Sequence, residues 1–220
     1  SAKRIADFVT LPGLQVCARQ VITRQSHRHL IEEQPDLEYA VVMPWVQGLT
    51  WQEIMLARQP LSVEQSLETA RHFVNILAAM EERGLAHCDL SGPNILLDDT
   101  VVNLVDVEDM YGPGLEKPEK LPGGSAGYAH KTAAQGLWSA DADRFAGAVL
   151  IAEMLGWCDE RVRRVAVGEQ YFDSGELQAG SDRYNLLLSV LTQRYGHALS
   201  ESFTSAWYSK GLGDCPRFVD

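Results

Sequence analysis

Long apolar runs are missing from this sequence. Charge interrupts every hydrophobic stretch well short of the ~18 to 20 residues that a membrane span needs, and no basic-apolar leader opens the chain. A soluble protein with no membrane partner is expected. Cysteine is sparse: Cys17, Cys88, Cys158 and Cys215 lie far apart and form no CxxC pair. That argues against a zinc site or a disulfide framework and suits a reducing, cytoplasmic setting. Basic residues are short too, 19 against 30 acidic ones, for a net charge of −11. Such a charge opposes contact with phosphate backbones and anionic membranes, so nucleic acid is not an expected partner. Internal repeats and low-complexity tails are also lacking.

What is present is an ordinary globular composition, 45% apolar over 220 residues, enough for one domain or a small two-lobed one. Residues 1–9 read as the last turns of a helix, with Ile5, Phe8 and Val9 at helical spacing, stopped by Leu11-Pro12-Gly13. The alternation from Leu14 to Ile22 predicts a strand. Tyr39 to Val46 predicts a second one, buried on both faces at its centre. Thr50 can cap a short helix over Trp51 to Arg58. Ser62, with Gln65 reciprocating, caps a long one. The long helix carries one apolar stripe of Val63, Leu67, Ala70, Val74 and Leu77 and another of Phe73, Ile76 and Met80, and Gly84 ends it.

That helix leads directly into Leu85 to Leu97, LAHCDLSGPNILL, the densest chemical stretch of the chain. Asn94 follows Asp89 by five positions, and a second apolar run ends in Asp106. Two short strands around a tight turn would bring Asp89, Asn94 and Asp106 together. A hard divalent cation prefers oxygen ligands, and Asn94 and Asp106 can supply them. Asp89 is then available to orient or deprotonate a hydroxyl that attacks phosphorus. The plainer alternative makes HCD a buried turn and VDVED a strand end with a solvated acidic tail. Cys88 reads as a small packing residue.

Beyond Asp106, Glu108 to Gly124 is rich in Gly, Pro and charge, and such long loops are often functional. Asp141 to Leu155 predicts a buried helix, apolar nearly all round. Three further helices are expected, near Arg161 to Val167, over Ser181 to Tyr195 and over Ser200 to Lys210. Trp207 and Tyr208 are expected to pack against them.

Three stretches, LAHCDLSGPNILL, LVDVED and DRFAGAVLIAEML, together resemble the protein-kinase-like superfamily. Its pattern is His-Arg-Asp-Leu, three variable residues, Asn, and later Asp-Phe-Gly. The resemblance implies an α+β, protein-kinase-like fold of bacterial serine/threonine-kinase type. Residues 1–46 would be a partial N-lobe, holding the end of the regulatory helix, strands 4 and 5 and the hinge. Residues 47–220 would be a mostly helical C-lobe with the catalytic loop and an activation-type segment. ATP and Mg2+ are the implied cofactors, with a protein or small-molecule hydroxyl as acceptor. Asp89 would be the catalytic base, Asn94 and Asp106 the magnesium ligands, and His87 a structural support for Asp106.

The same resemblance places Met43 at the gatekeeper and Pro44, Trp45 and Val46 at the hinge. Val46 would be the backbone donor to adenine, because Pro44 has no N–H; on these residues alone an ordinary core strand and turn reads equally well. Leu96 would floor the adenine pocket. Asp143 would open the central helix and bind the catalytic-loop backbone, or else serve only as an N-cap.

Some positions depart from the pattern. Cys88 stands for Arg, Ser91 for Lys and Val107-Glu108 for Phe-Gly, while His130-Lys131-Thr132 replaces Ala-Pro-Glu after the segment Gly124 to Ala129. A Gly-rich loop and a Val-Ala-Ile-Lys strand are not found, Lys3 is no substitute, and residues 1–10 hold no Glu. The expectation is a fragment with little or no phosphotransfer on its own. A pseudokinase serving as an interaction module, or a small-molecule kinase of the aminoglycoside or choline type, are the alternatives.

Overall fold

The computed structural model describes residues 2–220, with side chains from residue 4 onward, so the side chain of Lys3 lies outside the described residues. The chain forms an α+β structure with two small antiparallel sheets and a larger helical body. Among the described residues no helix is long and apolar enough to cross a membrane.

The first elements are α1 (Ala2–Ile5), β1 (Gln20–Val21), α2 (Arg28–Glu33) and β2 (Val41–Val42). β1 and β2 pair antiparallel, Gln20 with Val42 and Val21 with Val41. This region departs from the sequence reading. Leu14 to Ile22 is a 3-10 turn, Gln15–Cys17, followed by only two strand residues. The strand expected over Tyr39 to Val46 shrinks to Val41–Val42, residues that are 44% and 51% exposed instead of buried. The physical reason is that a buried strand needs covered faces, and this two-stranded ribbon has neither a third strand nor a helix laid over those valines. The preceding residues Ile5, Leu11, Leu14, Val16 and Cys17 do join the main core. The Leu104 N–H donates to the Gly13 carbonyl at 2.8 Å, which ties them to the second sheet.

The second sheet has the order β3 (Leu49–Thr50), β4 (Ile95–Asp98), β5 (Val101–Leu104). β4 and β5 form the expected hairpin, in register from Ile95 opposite Leu104 to Asp98 opposite Val101, with Asp99 in the left-handed region at φ 56°. Positive φ suits such two-residue turns and is tolerated by Asp. Gly48 precedes β3 at φ 131°, and a Cβ there would sit 2.3 Å from the Leu97 carbonyl oxygen. Only glycine permits that approach.

Thr50 caps α3 (Trp51–Leu56) in a reciprocal box with Glu53, and Ser62 caps α4 (Val63–Glu81) in one with Gln65. Two orphan helix N–H groups are satisfied at each start. The buried face of α4 is Ala70, Phe73, Ile76, Leu77 and Met80, whereas Val63, counted in the apolar stripe, is exposed. It occupies the first turn, beyond the reach of the helix that covers the rest. That covering helix is α5 (Arg144–Gly156), which buries Phe145, Val149, Leu150 and Met154. Each such burial is worth roughly 1.5–3 kcal/mol. At Gly147 a Cβ would lie 2.8 Å from Leu77 Cδ1, so this glycine sets how closely α5 approaches α4.

α6 (Glu160–Val165), α7 (Asp182–Tyr195) and α8 (His197–Trp207) complete the body. Trp207 is fully buried and stacks on Tyr184 at 5.1 Å between centroids, and Tyr208 packs against the same ring while staying half exposed. Tyr208 follows the last residue of α8 and meets Tyr184 of α7 edge-on, at 5.6 Å between ring centroids, with its other side open to solvent.

Candidate functional site

After α4 the chain turns at Gly84, in the left-handed region, and Leu85 N–H closes on the Met80 carbonyl at 2.9 Å. Ala86 then exchanges backbone hydrogen bonds with Tyr111, at 3.0 and 2.8 Å, which anchors the loop from one side. Asp143 anchors it from the other. Its buried carboxylate accepts the His87 N–H at 2.6 Å on one oxygen and the Cys88 N–H at 2.8 Å on the other. Asp143 does occupy the N-cap position of α5, but its side chain makes no capping bond there. The choice between cap and loop anchor is thereby settled for its hydrogen bonds.

Cys88 has φ 68°, a conformation that costs a non-glycine residue energy and persists only where surroundings enforce it. The two bonds to Asp143 are that enforcement. Burial, with Asp143 beside it, pushes the Cys88 thiol far above the usual range, so it is a packing group and not a nucleophile. Burial likewise raises Asp143 above the ordinary carboxylate range, opposed by His87 and by the two N–H bonds.

Three residues beyond Cys88 matter together. The Asn94 side-chain amide donates to the Asp89 carbonyl at 2.8 Å and reaches the Asp89 carboxylate at 3.5 Å. Ser125 Oγ donates to the other Asp89 carboxylate oxygen at 3.0 Å. The backbone carbonyl of Asn94 accepts from Val105 N–H at 3.0 Å, and His87 Nε2 donates to the Val105 carbonyl at 2.8 Å. His87 therefore holds the peptide immediately before Asp106, and Asp106 itself sits at φ 59°. Asp89 and Asn94 are in direct contact, and Asp106 follows the Val105 peptide that Asn94 and His87 hold.

Asp106 opens onto a cleft of about 570 Å³. Met43, Pro44, Trp45, Val46 and Leu96 form its apolar walls, and Arg19, Glu53, Asp106 and Glu108 its charged ones. Met43 to Val46 and Leu96 thus share one cavity, with Met43 and Trp45 exposed and Val46 half-buried. A hydrogen bond with Glu108 raises Asp106 above the ordinary carboxylate range, and partial burial and the nearby Asp89 charge add to it. Like charges crowded in this way favour either a proton or a cation. Among the described residues no three His, Cys, Asp or Glu side chains gather as a metal site; Asn94 and Asp106 are oxygen donors of the kind a divalent metal held mainly by phosphate and water would use.

Sequence reasoning missed two members of this site. Ser125 lies in the segment Gly124 to Ala129, just past the loop in sequence, and only the structure shows it closing on Asp89. Arg19 was read as one residue of an alternating strand. Its contact with Glu108 joins positions 89 apart, and no local pattern announces it.

Below the site lies a second buried acid. Glu153 of α5 accepts Trp51 Nε1 and Tyr128 Oη, each at 3.1 Å, and Tyr171 N–H at 3.4 Å. Complete burial pushes its carboxyl up to about 8 in spite of these donors. It links α3, the end of the loop segment and the chain beyond α6 to the central helix.

No protein-family model matches this chain, and no curated protein matches it.

Proposed function

We propose that the chain is the ATP-dependent phosphotransferase core of a protein-kinase-like protein of serine/threonine type, with residues 1–46 as a small N-lobe element and 47–220 as the helical C-lobe. The observation that carries this reading is that Asp106 lines one cleft together with Met43 to Val46 and Leu96, while Asn94, whose carbonyl accepts from the Val105 N–H, binds Asp89. Adenine lies between those apolar walls, with the Val46 N–H as its backbone donor. The Asp143 bonds to the His87 and Cys88 N–H groups further support it, because they fix the loop that presents Asp89.

In this reading Asp89 is the base. Asn94 and Ser125 orient its carboxylate, which accepts the proton of the attacking hydroxyl as the new O–P bond forms and the bond from the γ-phosphorus to the bridging oxygen breaks, releasing ADP. Asn94 and Asp106 would hold the magnesium ion, which supplies charge neutralisation at the phosphates. His87 keeps the Asp106 backbone in register through the Val105 carbonyl. The 220 residues carry neither the Gly-rich loop nor the lysine of the family pattern. All four thiols are unpaired, which supports a reducing, cytoplasmic setting.

Calorimetric titration with ATP tests the reading. Binding is expected to require Mg2+ and to weaken at least tenfold, about 1.4 kcal/mol, in Asp106→Ala. Equal affinity with and without the metal, and in the variant, would overturn it.

A further inference from the structure

We propose that Arg19 is the group that holds the polyphosphate of the nucleotide in this cleft, and that Glu108 is an internal carboxylate that occupies Arg19 until the phosphate arrives. The inference rests on the nucleotide reading above and deepens it.

Arg19 is the only basic side chain on the walls of the cleft among the described residues; its other charged walls, Glu53, Asp106 and Glu108, are acids. A cleft of that composition repels a polyanion unless this one guanidinium meets it. The Arg19 side chain is 4% exposed. Nε donates to the Val16 carbonyl at 3.2 Å and Nη1 to Glu108 at 2.6 Å, which fixes the plane of the group. Nη2 is shut off from solvent and has no hydrogen-bond partner. A guanidinium is always charged and presents a planar fork that matches two oxygens of a phosphate. Here only one arm of the fork is used.

The partner that uses it is half exposed to the cleft. Glu108 is 51% exposed, meets Arg19 through one oxygen and also bonds to Asp106, so it leaves Arg19 only when another anion takes its place beside the buried guanidinium. Release frees Nη1 beside the unpartnered Nη2, and a phosphate oxygen pair satisfies both. No covalent step is involved. Arg19 acts by binding, and Glu108 acts as a competitor.

Competition gives opposite signs for the two residues, which a merely structural ion pair does not. The test is calorimetry on the 220-residue chain with ATP and with adenosine, both in Mg2+, for wild type, Arg19→Ala, Arg19→Lys and Glu108→Gln. Arg19→Ala is expected to lose ATP affinity about tenfold or more, in the range of a lost charge-assisted contact, with adenosine affinity unchanged. Arg19→Lys falls between, and Glu108→Gln binds ATP more tightly than wild type. Should Arg19→Ala fail to fold, Arg19→Lys and Glu108→Gln carry the test. ATP affinity unaltered by Arg19 variants, a parallel loss of adenosine, or weaker ATP binding in Glu108→Gln would overturn the inference while leaving the nucleotide reading intact. A wild-type chain that binds neither ligand overturns both.

Discussion

Asp143→Ala is expected to lower the unfolding free energy by roughly 2–5 kcal/mol, because two buried N–H groups lose their acceptor at once and each orphaned group costs about 1–3 kcal/mol. The donors are the His87 and Cys88 amides, at 2.6 and 2.8 Å from the carboxylate. Water cannot replace it easily, since Asp143, His87 and Cys88 are all buried. For a chain of this size the change corresponds to a fall of about 5–20 °C in the thermal midpoint. The effect extends to function. Cys88 is held at φ 68° by those bonds, and once they are gone its backbone relaxes and carries Asp89 with it. Urea unfolding and ATP titration on the same variant check both parts. A loss below about 0.5 kcal/mol, the ordinary range for a surface substitution, would show that the carboxylate does not anchor the loop.

The second large effect concerns Glu153. Its carboxyl is raised by burial from the ordinary 4.5 to about 8. A group raised in the folded state contributes stability that is fully present below its unfolded pKa and lost as pH climbs through the folded one. The wild-type protein is therefore expected to lose stability from pH ~4.5 up to about 8, by at most ~5 kcal/mol from this group. Glu153→Gln keeps an oxygen that accepts from Trp51 Nε1 and Tyr128 Oη but has no proton to lose. Its stability should stay flat from this source, so that the variant gains on wild type at each step from pH 5.5 to 7 to 8.5. Comparing the two proteins cancels other titrations. One of these is His130, lowered by burial, whose contribution runs the opposite way and is lost on acidification. Parallel pH profiles for wild type and Glu153→Gln in urea unfolding would contradict the assignment.

Much of the helical body was legible because its signals are local. Ser62 with Gln65, and Thr50 before Trp51, announce helix starts through side-chain geometry that spans three residues. The apolar run of α5 announces burial, and the hairpin of β4 and β5 follows from two short apolar runs around Asp99-Thr100. The fate of Val41 and Val42 was not legible. Alternation reports which side chains share a face, but whether another layer covers that face depends on distant chain. Asp143 shows the same limit in a polar residue. An N-cap and a loop anchor both demand an aspartate before a helix, and only the fold decides which N–H groups it meets. The contact of Asn94 with Asp89 was readable from spacing. The closure of Ser125 onto Asp89 and of Arg19 onto Glu108 was not, because each joins segments with no shared periodicity.

The most direct test of the central claim is a crystal structure of the chain with a non-hydrolysable ATP analogue and Mn2+ in place of Mg2+, located by its anomalous signal. The account predicts the metal on the side-chain oxygens of Asn94 and Asp106, the adenine between Leu96 and Met43 to Val46, and the phosphates against Arg19. An adenine or metal bound elsewhere, or a cleft left empty at saturating ligand, would contradict it.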